Sequence, residues 1–500
     1  MAAVISPALR SLLAHIRSLS AAMGAPAYIV GGSVRDALLG MRVADLDIAL
    51  DGDAFAFADA LAASAGGVAV TRDALRRASR IVVPLDGKGA PHAQVDVTEL
   101  KAPTVERDLA LRDFTVNAMA VPVDAFGERG WRSAIIDPLS GARDLADGAL
   151  RLASPSALSD DPSRLLRAVR IAFARGLRID GATVDALRRD AHLLPRVAPE
   201  RLQEEMLKLL DVPEPGDALL ALDDARLLTT LVPELEAGRD CTQPKEHYWN
   251  VLPHGIHTVG FAERVLRRDG LPAGMAEIVP WSREIETRFH GAAFAHGHPR
   301  ATFLKLAALL HDAAKPATKA PDATGRVRFL GHPERGAEMA RDILRRLRFS
   351  NLAVEHVRLM VAEHLRPSQL APHGRLPSRR ATWKYYRDLE GAAVDTVYLS
   401  LADYLAARGP LVEFPRWRER VRIATCVLEG HEARGAVAKA RRVVDGHDLM
   451  RALGLPPGPA LGRLLDAVHE AVGAGDISTK RQALALAKRL MKSNATAPVP

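Results

Sequence analysis

Two adjacent glycines and two aspartates near the start of the chain are well suited to chemistry. They occur in the segment YIVGGSVRDALLGMRVADLDIAL, residues 28–50, as Gly31 and Gly32 and then Asp45 and Asp47. Because Asp45 and Asp47 are two positions apart in an apolar run, both carboxylates project from the same face of a β-strand. Carboxylates paired in this way can hold Mg²⁺, which prefers carboxylate and phosphate oxygens. The sequence therefore predicts a Mg²⁺ site at these aspartates.

The two glycines indicate that a phosphate approaches the backbone beside these carboxylates. Glycine has no side chain, so the main chain at Gly31 and Gly32 allows close contact. The helix predicted to follow offers free N–H groups and the positive end of its dipole. In such a site one metal ion can activate a hydroxyl while a second steadies a triphosphate and the departing pyrophosphate. A Gly-Gly turn and an Asp-x-Asp triplet are each common alone, so the prediction depends on their combination.

The whole segment resembles the first motif of the bacterial tRNA nucleotidyltransferase and poly(A) polymerase family, the class II branch of the polymerase-β-like superfamily. The pattern Gly-Gly-x-Val-Arg-Asp-x-Leu-Leu-Gly followed by Asp-x-Asp carries the resemblance. It implies that Asp45 and Asp47 are catalytic metal carboxylates and that Asp96, in QVDVTEL, is a third catalytic acid. The residues assigned to nucleotide binding in this first motif are Gly31, Gly32, Arg35 and Asp36.

A second motif, DLALRDFTVNAMA at residues 108–120, is similar to the family's RRDFTINAMA. The resemblance implies that Arg112, Asp113 and Asn117 bind the incoming nucleotide, with the arginine–aspartate pair at its ribose and triphosphate. Leu111 stands where the family often has a first arginine, so one cation is missing from this neighbourhood. An ordinary surface ion pair between Arg112 and Asp113 is the alternative interpretation.

The segment ALSDDPSRLLRAVRIAFARGL, residues 157–177, resembles the motif with which the family selects a base without a nucleic-acid template. Asp161 followed by Pro162 is typical of a helix start, with Asp161 as the N-cap. Arg164 lies three residues beyond Asp161, so the two side chains can meet and bind the edge of cytosine or adenine. The residues assigned to nucleotide binding here are Asp160, Asp161, Arg164, Arg167 and Arg170. For the last two, a solvated basic helix face is the alternative.

The next segment, ERLQEEMLKLL at residues 200–210, is similar to the family's neck helix. In the family this helix supports the nucleotide pocket through an Glu-Arg-x-x-Glu pattern, here Glu200, Arg201 and Glu204. A charge network between residues three and four positions apart explains the same pattern equally well.

Histidine and aspartate then recur in an order that suits a second metal site. The series His254, His311–Asp312 and Asp403 resembles the HD phosphohydrolase superfamily. The resemblance implies that these residues hold a divalent metal, and a mixed imidazole and carboxylate shell suits Mn²⁺, Ni²⁺ or Fe²⁺ better than Mg²⁺. His257 competes with His254 as the first ligand, because either aligns with the family's histidine.

The function of this second site stays open at the level of sequence. His332 and His364 are candidates for a second ion or for a substrate phosphate. The resemblance permits either hydrolysis of nucleotides or 2′,3′-cyclic phosphates, or an HD fold kept as an RNA-binding scaffold. Ala314 replaces the glycine that usually follows in the family's LLHDxGK motif.

Helices and strands must position these residues, and the apolar pattern that predicts them changes along the chain from strand-like to helical. Short apolar runs at 28–30, 46–50, 80–84 and 94–97 predict strands, and Ala54–Ala65 predicts a helix. From residue 157 onward the apolar periodicity is helical. An amphipathic helix is predicted near the N-terminus, and a last helix is predicted to start at Thr479, which has capping-box spacing with Gln482.

The periodicity predicts a multidomain chain with an α/β head followed by mainly α-helical segments, and the resemblance implies that the head is of the polymerase-β-like nucleotidyltransferase type. Residues 1–150 form the head, and residues 151–240 form a helical neck that selects nucleotides and binds RNA. Residues 241–410 form the HD metal-binding domain, and residues 411–500 form a basic helical tail that binds tRNA.

The composition agrees with a globular protein that has an anionic partner. Five hundred residues exceed one ordinary core, and 48% hydrophobic with 26% charged residues suits a soluble chain. The net charge of +8 is compatible with nucleic acid. The two cysteines, Cys241 and Cys426, have no CxxC partner, which argues against disulfides and a cysteine zinc site. Without a long apolar run or a secretory signal, a cytoplasmic protein is expected.

The resemblance implies a template-independent enzyme that adds CMP and AMP from CTP and ATP to the 3′ end of tRNA, using Mg²⁺ in the head. The expected partner is tRNA, held mainly by shape and phosphate contacts, with no membrane and no obligate protein partner. A poly(A) polymerase and an enzyme adding only CC or only A are alternatives within the same class. An HD-type nucleotide phosphohydrolase with a regulatory head and a non-catalytic RNA-binding protein are alternatives from other classes. Retention of Asp45 and Asp47 together with the Arg112–Asp113 pair argues against both.

Overall fold

The computed structural model describes residues 5–74, 77–84, 92–371, 375–430 and 443–495. The chain divides into two compact units. The first, called the α/β unit, comprises Met1–Ala198 and Asp224–Leu231, and the second, called the helical unit, comprises Pro199–Asp223 and Val232–Pro500. Within the described ranges no helix is long and apolar enough to cross a membrane.

Six strands form the sheet of the α/β unit: β1 Ala27–Val30, β2 Leu46–Leu50, β3 Val68–Asp73, β4 Ala78–Pro84, β5 His92–Glu99 and β6 Ala120–Pro122. Their order across the sheet is β3-β4-β5-β2-β1-β6. Strands β2 and β5 are parallel, and the other neighbouring pairs are antiparallel. Alternate apolar residues such as Ile29, Ile48 and Val95 are almost completely buried, which explains why these runs form strands. The four predicted strands are confirmed, whereas the two edge strands β3 and β6 were not predicted.

Nine helices and a small parallel strand pair complete the described part of the α/β unit. The helices are α1 Pro7–Met23, α2 Gly32–Leu38, α3 Ala54–Ala65, α4 Val105–Leu109, α5 Gly141–Ala146, α6 Ala157–Asp160, α7 Arg164–Arg175, α8 Gly181–Asp190 and α11 Leu227–Leu231. The pair consists of β7 Ala149–Leu150 and β8 Arg178–Ile179. Helix α1 confirms the predicted amphipathic helix, since Leu9, Leu13 and Ile16 are buried. Helix α3 has the predicted bounds.

The start of α7 corrects one prediction. The helix begins at Arg164, and its N-cap residue is Ser163 rather than Asp161. Asp161 has extended backbone angles, and its carboxylate accepts hydrogen bonds from the Ser163 N–H at 3.2 Å and the Ser163 hydroxyl at 2.8 Å. Asp161 therefore closes a turn that precedes the helix, as aspartate side chains often do.

The helical unit consists almost entirely of helices. These are α9 Pro199–Leu210, α10 Pro215–Asp224, α12 Val251–Arg267, α13 Arg283–His290, α14 Arg300–Leu310, α15 Lys315–Thr318, α16 His332–Arg346, α17 Asn351–Glu363, α18 Arg366–Gln369, α19 Arg379–Leu389, α20 Ala393–Arg408, α21 Phe414–Glu429, α22 Gly446–Leu453, α23 Pro459–Gly473 and α24 Lys480–Ala495. One antiparallel ribbon, β9 Lys319–Pro321 with β10 Val327–Phe329, interrupts them. Helix α14 is buried on all sides, which explains its continuous apolar sequence.

The last three helices share a core of their own that includes Leu449, Leu464 and Val468. The predicted capping box of the last helix is confirmed. Thr479 N–H donates to Gln482 Oε1 at 3.1 Å, and Gln482 N–H donates to the Thr479 hydroxyl at 3.3 Å. Two N–H groups that lack intrahelical partners are thereby satisfied at the start of α24.

Candidate active site and metal centre

Three predicted carboxylates lie together on the sheet of the α/β unit. Asp47 on β2 and Asp96 on β5 are Cα partners in the parallel register, so their side chains are neighbours on one face. Asp45 directly precedes β2, and its Oδ1 accepts a hydrogen bond from the Gln94 N–H at 3.0 Å. The backbone therefore brings the three acids to adjacent positions, although Asp96 is distant from the other two in sequence.

The glycine turn contacts the same carboxylates. Gly32 N–H donates to Asp47 Oδ2 at 3.2 Å. Gly31 has φ +65°, and a Cβ there would lie 3.2 Å from Asp47 Oδ2. A side chain at Gly31 would therefore strain the backbone and crowd the carboxylate.

Ser33 fixes the geometry of Asp45 and Asp47 and was not singled out from the sequence. Its hydroxyl donates to the Asp45 carbonyl at 3.2 Å and accepts from the Asp47 N–H at 2.9 Å. Ser33 is buried, so this bridge is shielded from water. In the sequence, only its position just after the glycines pointed to Ser33. Its hydrogen bonds join α2 to β2, and sequence spacing does not reveal such contacts.

Burial raises the pKa of Asp47, and the nearby Asp96 carboxylate raises it further, while Arg112 and Arg167 act in the opposite direction. Burial and the adjacent acid thus disfavour the ionised form of Asp47. A bound divalent cation would favour that form, and aspartate oxygens are the donors that Mg²⁺ prefers. The residues present therefore fit a Mg²⁺ site at Asp45 and Asp47.

Asp96 also has a partner that the sequence did not suggest. Arg80, directly opposite on β4, donates to both of its oxygens, from Nε at 2.7 Å and from Nη2 at 2.9 Å. A two-pronged bond of this kind fixes the plane of the carboxylate as well as its position. Asp96 is therefore oriented by Arg80 next to Asp47.

The second motif does not form a simple surface ion pair. Arg112 pairs with Asp108 at 3.2 Å, whereas Asp113 Oδ2 lies 2.6 Å from Arg167 Nε. Asp113 Oδ1 accepts from the Asn117 amide at 3.0 Å. Burial opposes ionisation of Asp113, but Arg167 and these hydrogen bonds hold its pKa below the usual value. Within the described residues, the buried Arg112 Nε has no hydrogen-bond partner.

Arg35 and Asp36 lie in an internal network. Arg35 is 6% exposed, and its Nη1 donates to Asn117 Oδ1 at 2.7 Å. Asp36 accepts two hydrogen bonds from Arg175 of α7, both at 2.8 Å. Through these contacts the two residues hold α2 against the second motif and α7, which positions Asp113 by way of Asn117.

The segment 157–177 contacts the second motif through Arg164. Its guanidinium donates to the carbonyls of Leu111 at 3.0 Å, Arg112 at 3.3 Å and Ala157 at 3.0 Å. Asp160 Oδ2 accepts from the Ser156 hydroxyl at 2.8 Å. Arg170 lies on α7 and is partly exposed. The Leu111 side chain is 48% exposed, so the place of the missing arginine faces solvent.

The HD residues converge in the helical unit. His254 Nε2 lies 3.0 Å from Asp403 Oδ1, 3.3 Å from His311 Nε2 and 3.4 Å from Asp312 Oδ2. His254, His311 and Asp312 are buried, and Asp403 is mostly buried. All four predicted ligands therefore meet, from the helices α12 and α20 and the end of α14.

Hydrogen bonds to the backbone aim the imidazoles at this centre. The Nδ1 atoms of His311, His332 and His364 lie 2.6–2.8 Å from the carbonyls three residues earlier. Their Nε2 atoms lie 3.2, 3.3 and 3.7 Å from an oxygen of Asp312. Such backbone bonds are typical of metal-ligating histidines. In the described part of the chain, Asp312 Oδ1 and His332 Nε2 are buried without a hydrogen-bond partner. A bound cation would satisfy the Asp312 oxygen and, with His332 deprotonated at Nε2, that nitrogen as well.

The electrostatics of the centre favour positive charge. Burial opposes protonation of His311, but Asp312 and Asp403 raise its pKa to about 10. Burial and the nearby His311 lower the pKa of His364 to about 3. A metal ion can replace the proton on His311, and the imidazole and carboxylate donors suit a transition metal. The residues present therefore fit such a metal.

The structure distinguishes between the two candidate first ligands. The His257 ring stacks on Trp249 with centroids 3.8 Å apart, whereas His254 is one of the residues that could share an ion with His311 and Asp403. His247 also approaches the centre, in a group with His254 and Asp312. Neither His247 nor its neighbour Gln243 was singled out from the sequence, because both lie in an irregular segment before α12.

A pocket of about 630 Å³ opens onto the HD centre. Asp312 and Asp403 line its floor, and the cationic residues Lys315, Arg326, Arg328 and Arg366 also line it. Lys315 Nζ lies 2.6 Å from Asp312 Oδ2 and donates to Gln243 Oε1 at 2.6 Å. Glu334 and Glu363 line the pocket as well, so its lining holds equal numbers of acidic and basic side chains.

Family comparisons agree with this arrangement. Residues 27–151 match the model of the Poly A polymerase head domain, and residues 176–238 match that of the Probable RNA and SrmB- binding site of polymerase A. Residues 281–408 match the HD domain model, which includes His311, Asp312 and Asp403 but not His254. The fold and these matches define a nucleotidyltransferase with an HD domain.

Similar proteins extend over nearly the whole chain. The A-adding tRNA nucleotidyltransferase of Deinococcus radiodurans is 34% identical over 472 residues, covering 93% of this chain and 95% of that protein. The CC-adding tRNA nucleotidyltransferase of Thermus thermophilus is 33% identical, covering 92% of each. A solved CCA-adding enzyme with ATP has the same fold, with a TM-score of 0.62 at 19% identity over 98% of this chain and 96% of that one. The chain belongs to the tRNA nucleotidyltransferase family.

Proposed function

We propose that this enzyme transfers CMP and AMP from CTP and ATP to the 3′ end of tRNA and thereby completes the sequence CCA. The observation that carries the proposal is the placement of Asp47 beside Asp96, with the Gly32 N–H directed at Asp47 Oδ2. Relatives at 32–34% identity include A-adding, CC-adding and multifunctional CCA proteins, which supports the reaction class.

In this proposal Asp45 and Asp47 hold Mg²⁺, and Asp96 completes the acidic face. The bound ions would activate the ribose 3′-hydroxyl and neutralise charge on the triphosphate and departing pyrophosphate. Gly31 and Gly32 keep the backbone open for the phosphates, and Arg112 faces the same position. Its unpaired Nε is suited to a phosphate or ribose oxygen.

Base selection is assigned to Asp160, Asp161 and Arg164. An acidic acceptor and a guanidinium donor next to each other can pair with the edge of cytosine or adenine. Arg164 is anchored on the carbonyls of Leu111 and Arg112, so the nucleotide-binding and base-selecting motifs are held together. Arg167, paired with Asp113, and Arg170 complete the proposed nucleotide site.

Four functional segments are proposed along the chain. Residues 1–150 carry the transfer chemistry, and residues 151–240 select the nucleotide and contact RNA. Residues 241–410 carry the HD centre, and residues 411–500 bind tRNA. Binding through phosphates predicts that affinity for tRNA falls as salt rises.

The test uses purified full-length protein, Mg²⁺ and tRNA transcripts that end at the discriminator base, at C and at CC. Each transcript is incubated with CTP, ATP or both, and the 3′ ends are sequenced. Addition that stops at CCA supports the proposal. Addition of CC alone, of A alone or of an open-ended A tail would replace it with the corresponding specialised activity. No addition to any primer would contradict it.

A second activity is proposed for the HD centre, namely metal-dependent hydrolysis of a phosphate ester. The convergence of His254, His311, Asp312 and Asp403 on one point, below a pocket whose lining includes Lys315, Arg328 and Arg366, supports it. Mn²⁺, Ni²⁺ and Fe²⁺ are the ions to test. Release of phosphate from 2′,3′-cyclic or monoester nucleotides by the wild type, and its loss in the pair variant His311→Ala with Asp312→Ala, would support hydrolysis. Metal binding without turnover would identify a scaffold.

A further inference from the structure

A buried cluster of charged residues lies in the helical unit outside both sites described above. Asp395 is completely buried, yet it accepts hydrogen bonds from Arg288 Nε at 2.8 Å and Nη2 at 3.1 Å, and from Arg300 Nη1 at 3.0 Å. His356 Nε2 lies 2.8 Å from the same carboxylate. Neither the transfer chemistry nor the HD centre uses these residues.

Two members of the cluster, Arg288 and Arg300, line a surface cleft of about 790 Å³. Arg283, Arg288 and Arg300 line the cleft, and Glu284 is the one acidic side chain among its lining residues. The three guanidinium groups face two carboxylates, those of Glu284 and of the underlying Asp395, which leaves one net positive charge. The cleft therefore favours an anion.

Two of the three arginines are held in place before any ligand binds. Asp395 fixes the Arg288 fork, and the Gly391 carbonyl accepts from both Arg288 and Arg300. The Arg300 guanidinium also lies over the Phe294 ring, 4.2 Å from its centroid. Ordering an arginine side chain costs conformational entropy. Here Arg288 and Arg300 are already ordered in the folded protein, so binding of an anion does not have to order them.

The cleft is separate from the HD pocket but is built on the same helices. Three helices each carry one residue of the charged cluster and one residue of the HD centre. His311 and His364 directly follow α14 and α17, which carry Arg300 and His356, whereas Asp395 and Asp403 both lie within α20. Eight residues of α-helix, the separation along α20, span about 12 Å. The two sets of lining residues have no member in common.

We propose that this cleft is a second anion site, which binds a phosphate group through Arg283, Arg288 and Arg300. Phosphate matches the planar, multi-donor geometry of guanidinium groups, and several of them together can share its charge. The phosphate can belong to a free nucleotide or to an RNA backbone, and the experiment distinguishes the two sources. Neither the proposed transfer reaction nor the HD hydrolysis requires this site.

The test is hydrogen–deuterium exchange of the full-length protein, read in peptides that cover residues 281–300, with inorganic phosphate, ATP or a tRNA transcript. At a ligand concentration about ten times the dissociation constant, exchange through local opening should slow about tenfold. Protection by all three ligands identifies a site for free phosphate, and protection by tRNA alone identifies a site for the RNA backbone. The absence of protection with every ligand would overturn the proposal.

Variants separate direct binding from remote effects. Arg283→Glu removes the exposed arginine and should abolish protection, while the Asp395 network and the unfolding temperature stay unchanged. Arg341→Glu, at a partly exposed arginine of α16 paired with Glu338, is the matched control and should retain protection. Protection that persists in Arg283→Glu would also overturn the proposal, because the ligand would then act from elsewhere.

Discussion

Asp47 shows how a single carboxylate is prepared for metal binding. It is partly exposed at the surface of the sheet, yet its Oδ2 accepts a backbone N–H and its neighbours include Asp96, Arg112 and Arg167. Burial and the adjacent acid raise its pKa, so its charged form lacks full compensation without a cation. This environment supports the proposal that Asp47 binds a divalent ion.

Changing either metal carboxylate should remove nucleotide transfer. Asp45→Asn and Asp47→Asn should each lower kcat at least about 100-fold, because several kcal/mol of charge stabilisation in the transition state are lost. The measurement is single-turnover transfer to a tRNA ending at CC. Asp51→Asn, an exposed aspartate just after β2, is the matched control and should retain activity. Normal transfer by both metal-site variants would contradict the proposed mechanism.

The exposed Leu111 allows the missing family arginine to be restored. Leu111→Arg should lower KM for ATP and CTP roughly 2- to 5-fold, since an exposed ion pair contributes up to about 1 kcal/mol. Stability should change by less than about 0.5 kcal/mol, because the side chain is largely in solvent. Leu352→Arg, at another exposed leucine, controls for added charge. An unchanged KM would show that a cation at this position does not contact the nucleotide.

At the scale of elements, the turn between β1 and α2 sets the distance between backbone and carboxylate. Gly31→Ala should abolish most transfer, because its Cβ would lie 3.2 Å from Asp47 Oδ2 in a positive-φ conformation. Gly176→Ala introduces the same residue at φ +64° with nothing within 4 Å. This control should cost stability, about 1 kcal/mol, but retain transfer. Steady-state nucleotide transfer and thermal unfolding are the measurements. Equal transfer activity in Gly31→Ala and Gly176→Ala would argue against crowding at Asp47.

Asp395 connects α13, α14, α17 and α20, and its loss should weaken the helical unit. Asp395→Asn should lower the free energy of unfolding at pH 7 by about 3–5 kcal/mol, since buried arginines lose their counter-charge. The measurement is denaturant unfolding followed by tryptophan fluorescence, which suits the helical unit because it contains four of the five tryptophans. Asp342→Asn, an exposed aspartate of α16, is the control and should change stability by less than about 0.5 kcal/mol.

The Asp395 carboxyl should also make the free energy of unfolding depend on pH. Burial opposes ionisation of Asp395, but His356 and Arg288 hold its pKa below the usual value. Its contribution to stability is therefore complete above the unfolded pKa of about 3.9 and is lost as the pH falls from there toward the folded pKa. Unfolding curves between about pH 5 and pH 3 should show a smaller loss of stability in Asp395→Asn than in the wild type. An identical pH slope in both proteins would contradict this assignment.

At the scale of the whole molecule, the HD centre lies entirely within the helical unit, so a metal ion bound there should stabilise that unit. Mn²⁺ should raise the unfolding temperature followed by tryptophan fluorescence, and at about 100 times its dissociation constant it should add about 2.7 kcal/mol of stability. A chelator should reverse the shift. His254→Ala should abolish the shift, whereas His257→Ala should retain it, since His257 stacks on Trp249. Loss of the shift in His257→Ala but not in His254→Ala would show that His257, and not His254, is the metal ligand.

Local periodicity allowed the sequence to predict much of the α/β unit. Strand alternation places Asp45 and Asp47 on one face regardless of the rest of the fold, and the glycines mark the turn before α2 because no other residue suits that close approach. The four apolar strands, helix α3 and the capping box at Thr479 were predicted for the same reason, since each depends on neighbours within a few residues. The edge strands were not, because β3 carries polar residues and β6 is only three residues long.

Tertiary structure alone decided which distant residues share a site. The parallel register of β2 and β5 brings Asp96 to Asp47, and the register of β4 and β5 adds Arg80. Helix packing selects His254 over His257 and assembles Arg288, Arg300 and Asp395 from three helices. Strand register and helix packing depend on the complementary fit of whole elements, which residue spacing does not encode. The sequence therefore determined the chemistry available to this protein, and long-range packing determined where that chemistry is assembled.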